Sequence, residues 1–350
     1  MSTCRDSSPQ HFPNRLQEFS LFFASFFLWP ALTLFQSCSS NSKAPEAPAP
    51  VTILVTSTAT STATATPTRD HTAAPTPTST ATWALARTLG QYGTTGMNGD
   101  FQFPTGVAAG AGYIAVNDLT AKNTQVFNST GTYLYSIPAH GGSASLYGAA
   151  MDSDGELYVC DYNDGEVDGY LLGPATFTYD FTWTGQGNLA GPVGVRIDPQ
   201  GNLVVVDSVL SSVKKLDWAD DSVLKSASLG STIVPSDLAL DRYGRLYVVD
   251  NSGSGIAEYD SNFQFLNEFY GSGTDWGGLV LSNPIGIEVD FEGNLVIADQ
   301  NHYRVVRASP EGKYLGQLNG LNSPTYLTID SAGKLYVSDR GLNQLLEFAH

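Results

Sequence analysis

Residues 283–320 contain the clearest alternation of apolar and polar positions in the chain. Four short apolar segments, PIGIEVD, NLVIAD, YRVVRAS and KYLGQL, are separated by the turn-forming clusters FEG, QNH and PEG. Alternation bounded by Gly, Pro and Asn predicts short β-strands joined by tight turns, which is typical of an antiparallel meander. Because a lone sheet of this kind would leave both faces in water, the pattern also predicts similar sheets on either side.

The same pattern recurs six times after residue 83. Each copy has a first strand, a turn such as DPQGN or DFEGN, and a second strand such as LVVVD that ends on aspartate. The residues that begin the copies are spaced 40 to 49 positions apart: Pro104, Leu146, Pro192, Pro235, Pro284 and Pro324. A period of about 40 to 50 residues with four strands in each copy indicates propeller blades. We therefore predict an all-β fold, a six-bladed β-propeller of four-stranded antiparallel blades.

The sixth copy contains only three strands, TYLTID, KLYVSD and QLLEFAH. The segment ALARTLGQYG, at 84–93, precedes the first copy, and its TLGQ is similar to the YLGQ of the outer strand in the fifth copy. We therefore predict that this N-terminal segment forms the outer strand of blade six. That strand would close the ring and remove an exposed sheet edge.

The pattern P-x-G, alternating strand, D-x-x-G-N-L-Y-V-x-D resembles the NHL-repeat family of six-bladed propellers. The resemblance covers residues 84–350, and the segment NHYRV at 301–305 is similar to the N-H-R-V that often follows the aspartate in that family, with one residue added. It implies the propeller fold. It leaves the function open, because propellers of this type include binding scaffolds, sensor domains, an amidating lyase and relatives of lactonases.

The N-terminal residues predict export. Arg5 and Arg15 precede the apolar run LFFASFFLWPALTLF at 21–35, and about fifteen residues suit a secretory signal better than a bilayer span. The ending LFQSC resembles a bacterial lipobox, which implies lipidation of Cys38; a plain cleaved signal and an uncleaved anchor are the alternatives. Residues 1–38 are therefore assigned as a signal peptide with a lipoprotein signal, and the protein is expected in the cell envelope, lipid-anchored or secreted.

Residues 39–82 are dominated by Ser, Thr, Ala and Pro. Such a segment has too little apolar area to offset the entropy of ordering, so it predicts a disordered stalk in front of a propeller at 83–350. The formal charge of −17 lies wholly in the propeller, because residues 1–82 hold four basic and four acidic side chains. Nucleic acids and anionic lipids bind through Lys and Arg, so we expect no nucleic-acid partner, membrane contact only through the N-terminal anchor, and a monomer.

Departures from the repeat indicate candidate ligand-binding residues. Asp237 and Tyr326 stand where other copies have Gly in the first strand, near the expected mouth of the central channel. Arg196 and Glu288 stand two positions deeper, where the other copies have Ala or Thr. A buried ion pair between Arg196 and Glu288 and a ligand-clamping Arg196 are both open interpretations.

Three further candidates lie in loops on the same expected face. His302 and Arg340 follow strand-ending aspartates, and Trp276 lies in the longest insertion, SGTDWGGLVLS. Aromatic and charged side chains in loops suit a protein, peptide or carbohydrate ligand. An alternative for Trp276 is that it covers the apolar edge of a blade.

Carboxylates end the second strand of every copy and are interpreted first as turn caps, because Asp accepts hydrogen bonds from the backbone of a following turn. One turn also suggests a cation site: Asp161, Asn163, Asp164 and Glu166 offer hard oxygen ligands, although Asp164 comes one residue too early for the D-x-N-x-D-G calcium loop. Calcium or another divalent cation is the cofactor that this turn would bind, and the sequence indicates no other.

The sequence favours a non-enzymatic function, a scaffold that binds a protein, peptide or glycan on its loop face. No G-x-S-x-G elbow is present, and Cys160 has no evident base partner. The alternative is a metal-dependent, lactonase- or esterase-like hydrolase or a lyase whose site lies at the channel mouth, as the resemblance allows.

Overall fold

The computed structural model describes residues 83–93, 98–141, 143–270 and 280–349. The predicted signal with Cys38, the predicted stalk and Trp276 lie outside the described residues and stay predictions. Within the described ranges, no helix is long and apolar enough to cross a membrane.

Six four-stranded antiparallel sheets succeed one another along the chain, as the repeat predicted. Strands are numbered in chain order, and three precede blade one: β1 (Ala84–Leu89), β2 (Gln91–Tyr92) and β3 (Asp100–Phe101). Blade one comprises β4 (Pro104–Gly110), β5 (Tyr113–Asp118), β6 (Asn123–Asn128) and β7 (Tyr133–Pro138). Blade two comprises β8 (Leu146–Met151), β9 (Glu156–Asp161), β10 (Glu166–Leu172) and β11 (Phe177–Trp183). Blade three comprises β12 (Pro192–Ile197), β13 (Leu203–Asp207), β14 (Ser212–Leu216) and β15 (Val223–Ser228).

The second half of the ring repeats this organisation. Blade four comprises β16 (Pro235–Leu240), β17 (Leu246–Asp250), β18 (Gly255–Tyr259) and β19 (Phe265–Tyr270). Blade five comprises β20 (Pro284–Val289), β21 (Leu295–Asp299), β22 (Arg304–Ala308) and β23 (Tyr314–Leu318), with a 3-10 turn at Gln300–His302. Blade six contains β24 (Pro324–Ile329), β25 (Leu335–Asp339) and β26 (Gln344–Ala349). The all-β, six-bladed prediction is confirmed.

The outer strand of blade six comes from the other end of the propeller sequence. The sheet order is β1-β26-β25-β24, and β1 pairs antiparallel with β26 from Ala84 opposite Ala349 to Leu89 opposite Leu345. The predicted closure is therefore confirmed. It joins the first and last described strands in one sheet and covers the edge that β26 would otherwise expose.

The hydrophobic core lies between neighbouring blades, because alternate residues of each strand project to opposite faces of the sheet. Between blades four and five, for example, Tyr247 and Val249 pack with Ile287 and Ile297, and all four are fully buried. In four of the six blades, the innermost strand approaches its neighbour so closely at one position that glycine is required there. A Cβ added to Gly286 would lie 2.5 Å from the carbonyl oxygen of Thr325.

The aspartates that end the second strands cap turns, as predicted. Each is at most 3% exposed, and each accepts backbone N–H groups of nearby loops; Asp118, for example, accepts those of Gln102, Thr120 and Ala121. The six are Asp118, Asp161, Asp207, Asp250, Asp299 and Asp339. The loop face of the channel therefore does not carry a ring of exposed carboxylates from these positions.

Candidate functional site

A cavity of about 390 Å³ opens at the end of the channel where the first strands begin. It is called the cup below. All six blades contribute to its lining, through residues at the start of the first strands and residues that directly follow the capping aspartates. The face that the sequence indicated for a ligand therefore carries a cavity of the size typical of small-molecule sites.

Tyr326 forms the floor of the cup. Its hydroxyl reaches from blade six across the channel and shares its single proton between the carbonyl oxygens of Val193 in blade three, at 3.0 Å, and Ser236 in blade four, at 3.2 Å. Burial raises the pKa of this phenol well above its usual value, so it stays protonated and donates. The tyrosine that replaces glycine in the sixth copy thus blocks the channel below its mouth.

One wall of the cup is a chain of amide side chains that ends on a guanidinium. Asn251 Nδ2 donates to Asn283 Oδ1 at 2.8 Å, and Asn283 Nδ2 donates to Gln300 Oε1 at 2.6 Å. Arg340 Nη2 donates to the same Gln300 oxygen at 3.3 Å, while its Nε donates to Ser323 Oγ at 3.0 Å. The Gln300 oxygen is therefore fully used by two donors.

Two polar groups on this wall are only partly used by the protein. Gln300 Nε2 is buried and has no hydrogen-bond partner among the described residues. Arg340 stacks over Phe103, with 5.2 Å between the guanidinium carbon and the ring centroid, and it forms no ion pair with a carboxylate of the described chain. A buried unmatched donor beside an unpaired cation favours a ligand that carries acceptor oxygens.

The opposite wall is aromatic. Tyr147 and Tyr162 pack edge to face with 5.5 Å between ring centroids, and both line the cup. Burial raises the pKa of Tyr147. The two rings offer apolar faces opposite the amide wall, an arrangement that suits a ligand with one apolar and one polar side.

A second polar cluster lies deeper in the channel and does not line the cup. Arg196 Nη1 and Nη2 contact the two oxygens of Asp237 at 3.3 and 3.1 Å, and Arg196 Nε lies 3.3 Å from Glu288 Oε2. The predicted Arg196–Glu288 ion pair is confirmed. The sequence did not indicate that Asp237 would be the bidentate partner.

The guanidinium of Arg196 is used by the protein itself. It also donates to the carbonyl oxygens of Val195, at 2.9 Å, and Ile287, at 2.8 Å, so it ties blade three to blades four and five. Burial raises the pKa of Glu288, and Arg196 opposes that effect. These contacts favour the interpretation as a structural ion pair, and the ligand-clamping role of Arg196 stays a prediction.

Asp237 is expected to make stability depend on pH. Burial raises its pKa from 3.8 to about 6, although Arg196 and backbone N–H groups oppose the shift. The folded state therefore holds a proton that the unfolded state releases, so this contribution to stability is complete below about pH 4 and is lost as the pH rises through about 6. Urea unfolding at several pH values should show the stability of the wild type falling by up to roughly 3 kcal/mol relative to Asp237→Asn across that interval. If the difference in stability between the wild type and Asp237→Asn stays constant across this pH range, the raised pKa of Asp237 is wrong.

The other predicted residues lie apart from the cup. His302 is exposed and places Nδ1 2.9 Å from Asp299 Oδ2, which also accepts a hydrogen bond from Arg304. In the predicted calcium turn, Asp161 Oδ1 accepts the backbone N–H groups of Ser145, Asn163 and Asp164, at 3.0 to 3.3 Å. The Asn163 amide donates to the Ser143 carbonyl and to Ser145 Oγ, at 2.8 Å each. Calcium binding by this turn stays a prediction.

A different cluster containing Glu166 was not anticipated. His140, Glu166 and Asp168 place one ligand atom each within 4.8 Å of one another. No sequence pattern indicated this cluster, because His140 belongs to the end of blade one and the carboxylates belong to blade two. For the cup, by contrast, the position directly after the capping aspartate was an available signal, since in five of the six blades that residue lines the cup: Tyr162, Ser208, Asn251, Gln300 and Arg340.

Comparisons with known proteins support the fold and leave the activity open. No protein-family model and no curated protein matches the chain. Among solved structures, virginiamycin B lyase from Staphylococcus aureus is similar with a TM-score of 0.54 and 15% identity, over 71% of this chain and 82% of that one. A luciferin-regenerating enzyme gives a TM-score of 0.56 and 17% identity, over 71% of this chain and 92% of that one.

A protein of unknown function from Bacteroides caccae gives a TM-score of 0.51 and 18% identity, over 62% of this chain and 81% of that one. Identities this low show a common propeller fold, which hosts lyases, other enzymes and proteins without assigned activity. The NHL-repeat assignment accordingly remains a resemblance of sequence pattern.

Proposed function

We propose that the cup binds the carboxylate-bearing end of a peptide or an acidic glycan, and that the protein acts as a binding module. The observation that carries the proposal is the unmatched donor Gln300 Nε2 next to the Arg340 guanidinium, which donates to Gln300 and Ser323 but has no carboxylate partner among the described residues. A carboxylate accepts from both kinds of donor and is attracted to the guanidinium. The aromatic wall of Tyr147 and Tyr162 supplies contact area for the remainder of the ligand.

Charge gives this ligand class further support. The described part of the propeller is acidic, and yet the only ionisable side chains that line the cup there are tyrosines and Arg340. An acidic ligand would therefore meet a local cation with no carboxylate competing for it on the lining. Selectivity for an acid over its neutral analogue follows from that arrangement.

A binding role is preferred over the hydrolase or lyase alternative at the same mouth. A divalent metal that polarises a lactone or ester needs several hard oxygen or imidazole ligands. Among the described lining residues, the cup supplies amide and hydroxyl oxygens and no carboxylate or imidazole. We also propose that the propeller acts as a monomer outside the cytoplasm, carried by an N-terminal lipid anchor and the stalk at 39–82.

Replacement of Arg340 by Gln tests the proposal. Arrays of peptides with free or amidated C-termini and of neutral or acidic glycans would first identify bound probes, and calorimetry would then give dissociation constants. Arg340→Gln is expected to weaken binding of an acidic probe at least about tenfold, because a charged hydrogen bond contributes roughly 1.5 to 3 kcal/mol. The same substitution should weaken binding of the amide or methyl ester of that probe much less.

Arg242→Gln is the matched control. Arg242 also lies over an aromatic ring, that of Tyr243 at 5.7 Å, but it belongs to a turn of blade four outside the cup lining. The Arg242→Gln variant should bind the probe as the wild type does. Equal losses for the acid and the ester, or no difference between the two arginine variants, would contradict the proposal. Turnover of lactones or esters by the wild type would favour the hydrolase.

A further inference from the structure

One histidine and several carboxylates meet in the cleft between the outer parts of blades one and two. His140 follows β7 of blade one, whereas Glu166 and Asp168 lie on β10 of blade two. Since Glu166 and Asp168 are two positions apart on a strand, they project from the same face of the sheet. Asp161 ends β9 directly opposite Glu166 in the antiparallel register, so its side chain shares that face.

The spacing of three ligand atoms suits a small cation. His140 Nδ1 lies 3.7 Å from Glu166 Oε1 and 3.6 Å from Asp168 Oδ1. Two ligands of a tetrahedral zinc ion, each at about 2.1 Å, are roughly 3.4 Å apart. Side-chain movements of a few tenths of an ångström would therefore bring His140 and either carboxylate to coordination distance.

The side chains behind these ligands hold them in place. The His140 ring stacks on Tyr179, with ring centroids 4.5 Å apart and 26° between the planes. Thr182 Oγ1 donates to Asp168 Oδ1 at 2.7 Å, and the Tyr179 hydroxyl shares a hydrogen bond with Thr182. Outer contacts of this kind fix the orientation of metal ligands and keep the site ready before the ion arrives.

Asp161 adds a third carboxylate to this face of blade two. Its Oδ2 is buried and accepts no hydrogen bond from any described residue, although Oδ1 accepts three. No Lys or Arg of the described chain forms an ion pair with Asp161, Glu166 or Asp168. Three carboxylates therefore share one face of blade two without a basic ion-pair partner from the described Lys and Arg residues.

We propose that His140, Glu166 and Asp168 bind a divalent transition-metal ion, with zinc as the first candidate, between blades one and two. Zinc binds both imidazole nitrogen and carboxylate oxygen, whereas calcium takes oxygen ligands only. The ion would join a residue of blade one to a strand of blade two and neutralise the carboxylates between them. This site is separate from the cup and does not depend on the proposed function.

Metal binding by the full chain tests the proposal. Protein stripped with a chelator is titrated with zinc chloride by calorimetry, and with cobalt chloride while visible absorption reports the coordination. One equivalent is expected to bind the wild type and to raise its melting temperature. His140→Ala, Glu166→Gln and Asp168→Asn should each weaken binding by about tenfold to a hundredfold or more and reduce the thermal shift.

His302→Ala is the matched control. His302 pairs with Asp299 at 2.9 Å as His140 pairs with Asp168, but that carboxylate is already occupied by Arg304. This variant should keep the full stoichiometry and thermal shift of the wild type.

Three outcomes would overturn the proposal. The wild type could fail to bind zinc or cobalt, the three ligand variants could bind as the wild type does, or calcium alone could bind. Melting of the chelator-treated variants adds a readout that does not need metal. If Glu166→Gln and Asp168→Asn melt higher than a wild type that binds no metal, the carboxylates only repel one another and the site is not a metal site.

Discussion

A fragment that begins at residue 91 is expected to lose cooperative unfolding, whereas a fragment that begins at residue 81 keeps it. The shorter fragment lacks β1, which pairs with β26 along its length. It also lacks Trp83 and Leu89, each 7% exposed, whose burial contributes roughly 1.5 to 3 kcal/mol or more apiece. The typical free energy of unfolding of a whole domain is only about 5 to 15 kcal/mol. Loss of these two buried side chains and of five register pairs would therefore remove a large part of the stability.

The loss of stability in the shorter fragment should be severe because β1 joins two blades. Leu89 packs with Phe101, Val107 and Phe127 of the blade-one side and with Leu345 of blade six. Trp83 Nε1 donates to the Gly333 carbonyl at 3.2 Å, and Arg87 pairs with Glu347. Without the strand, β26 becomes an exposed edge and the contact between the last and first blades is broken.

Urea unfolding followed by circular dichroism measures the effect, and two point variants separate closure from simple loss of chain. Leu89→Ala should cost about 2 to 5 kcal/mol, because a buried leucine leaves a cavity. Leu85→Ala, on the same strand but 57% exposed, should change stability by less than about 0.5 kcal/mol. Equal midpoints for the two fragments would show that β1 does not hold the ring together.

Local pattern was sufficient to predict this architecture. Alternation, turn residues and a strand-ending Asp recur within each copy, so every blade could be recognised from about 45 neighbouring residues. The closing strand was predictable as well, because the sixth copy lacks a strand and TLGQ at 88–91 matches the outer strand of blade five. These features depend on hydrogen bonds within a sheet, which sequence periodicity reports directly.

The polar groups in the channel depend on the ring as a whole, and the sequence located them only in part. Arg196 and Glu288 could be identified because they are charged at a position where the other copies have Ala or Thr. Their opposite charges then suggested an ion pair. The bidentate contact with Asp237, 41 positions from Arg196, and the crossing of Tyr326 to blades three and four depend on how six first strands converge on one axis. His140 was missed for the same reason, since its partners belong to the next blade.

Replacement of Arg196 by Met is expected to destabilise the protein by about 3 to 5 kcal/mol at pH 8. The change would leave Asp237, which is 0% exposed, and Glu288 in the channel without their cation. Two hydrogen bonds to backbone carbonyls would also be lost. Because burial already raises the pKa of Asp237 to about 6, the variant should bind a proton at that carboxyl readily, and the loss should be smaller at pH 5 than at pH 8.

A second substitution distinguishes an uncompensated charge from a packing defect. Asp237→Asn in the Arg196→Met background removes the buried charge while it keeps the size of the side chain, so it should recover a large share of the lost stability at pH 8 and little at pH 5. Arg242→Met, an exposed arginine whose Nη2 donates to the Phe291 carbonyl at 3.3 Å, serves as the control and should change stability by less than about 0.5 kcal/mol. If the double variant is no more stable than Arg196→Met at either pH, packing of the arginine rather than its charge holds blades three, four and five together.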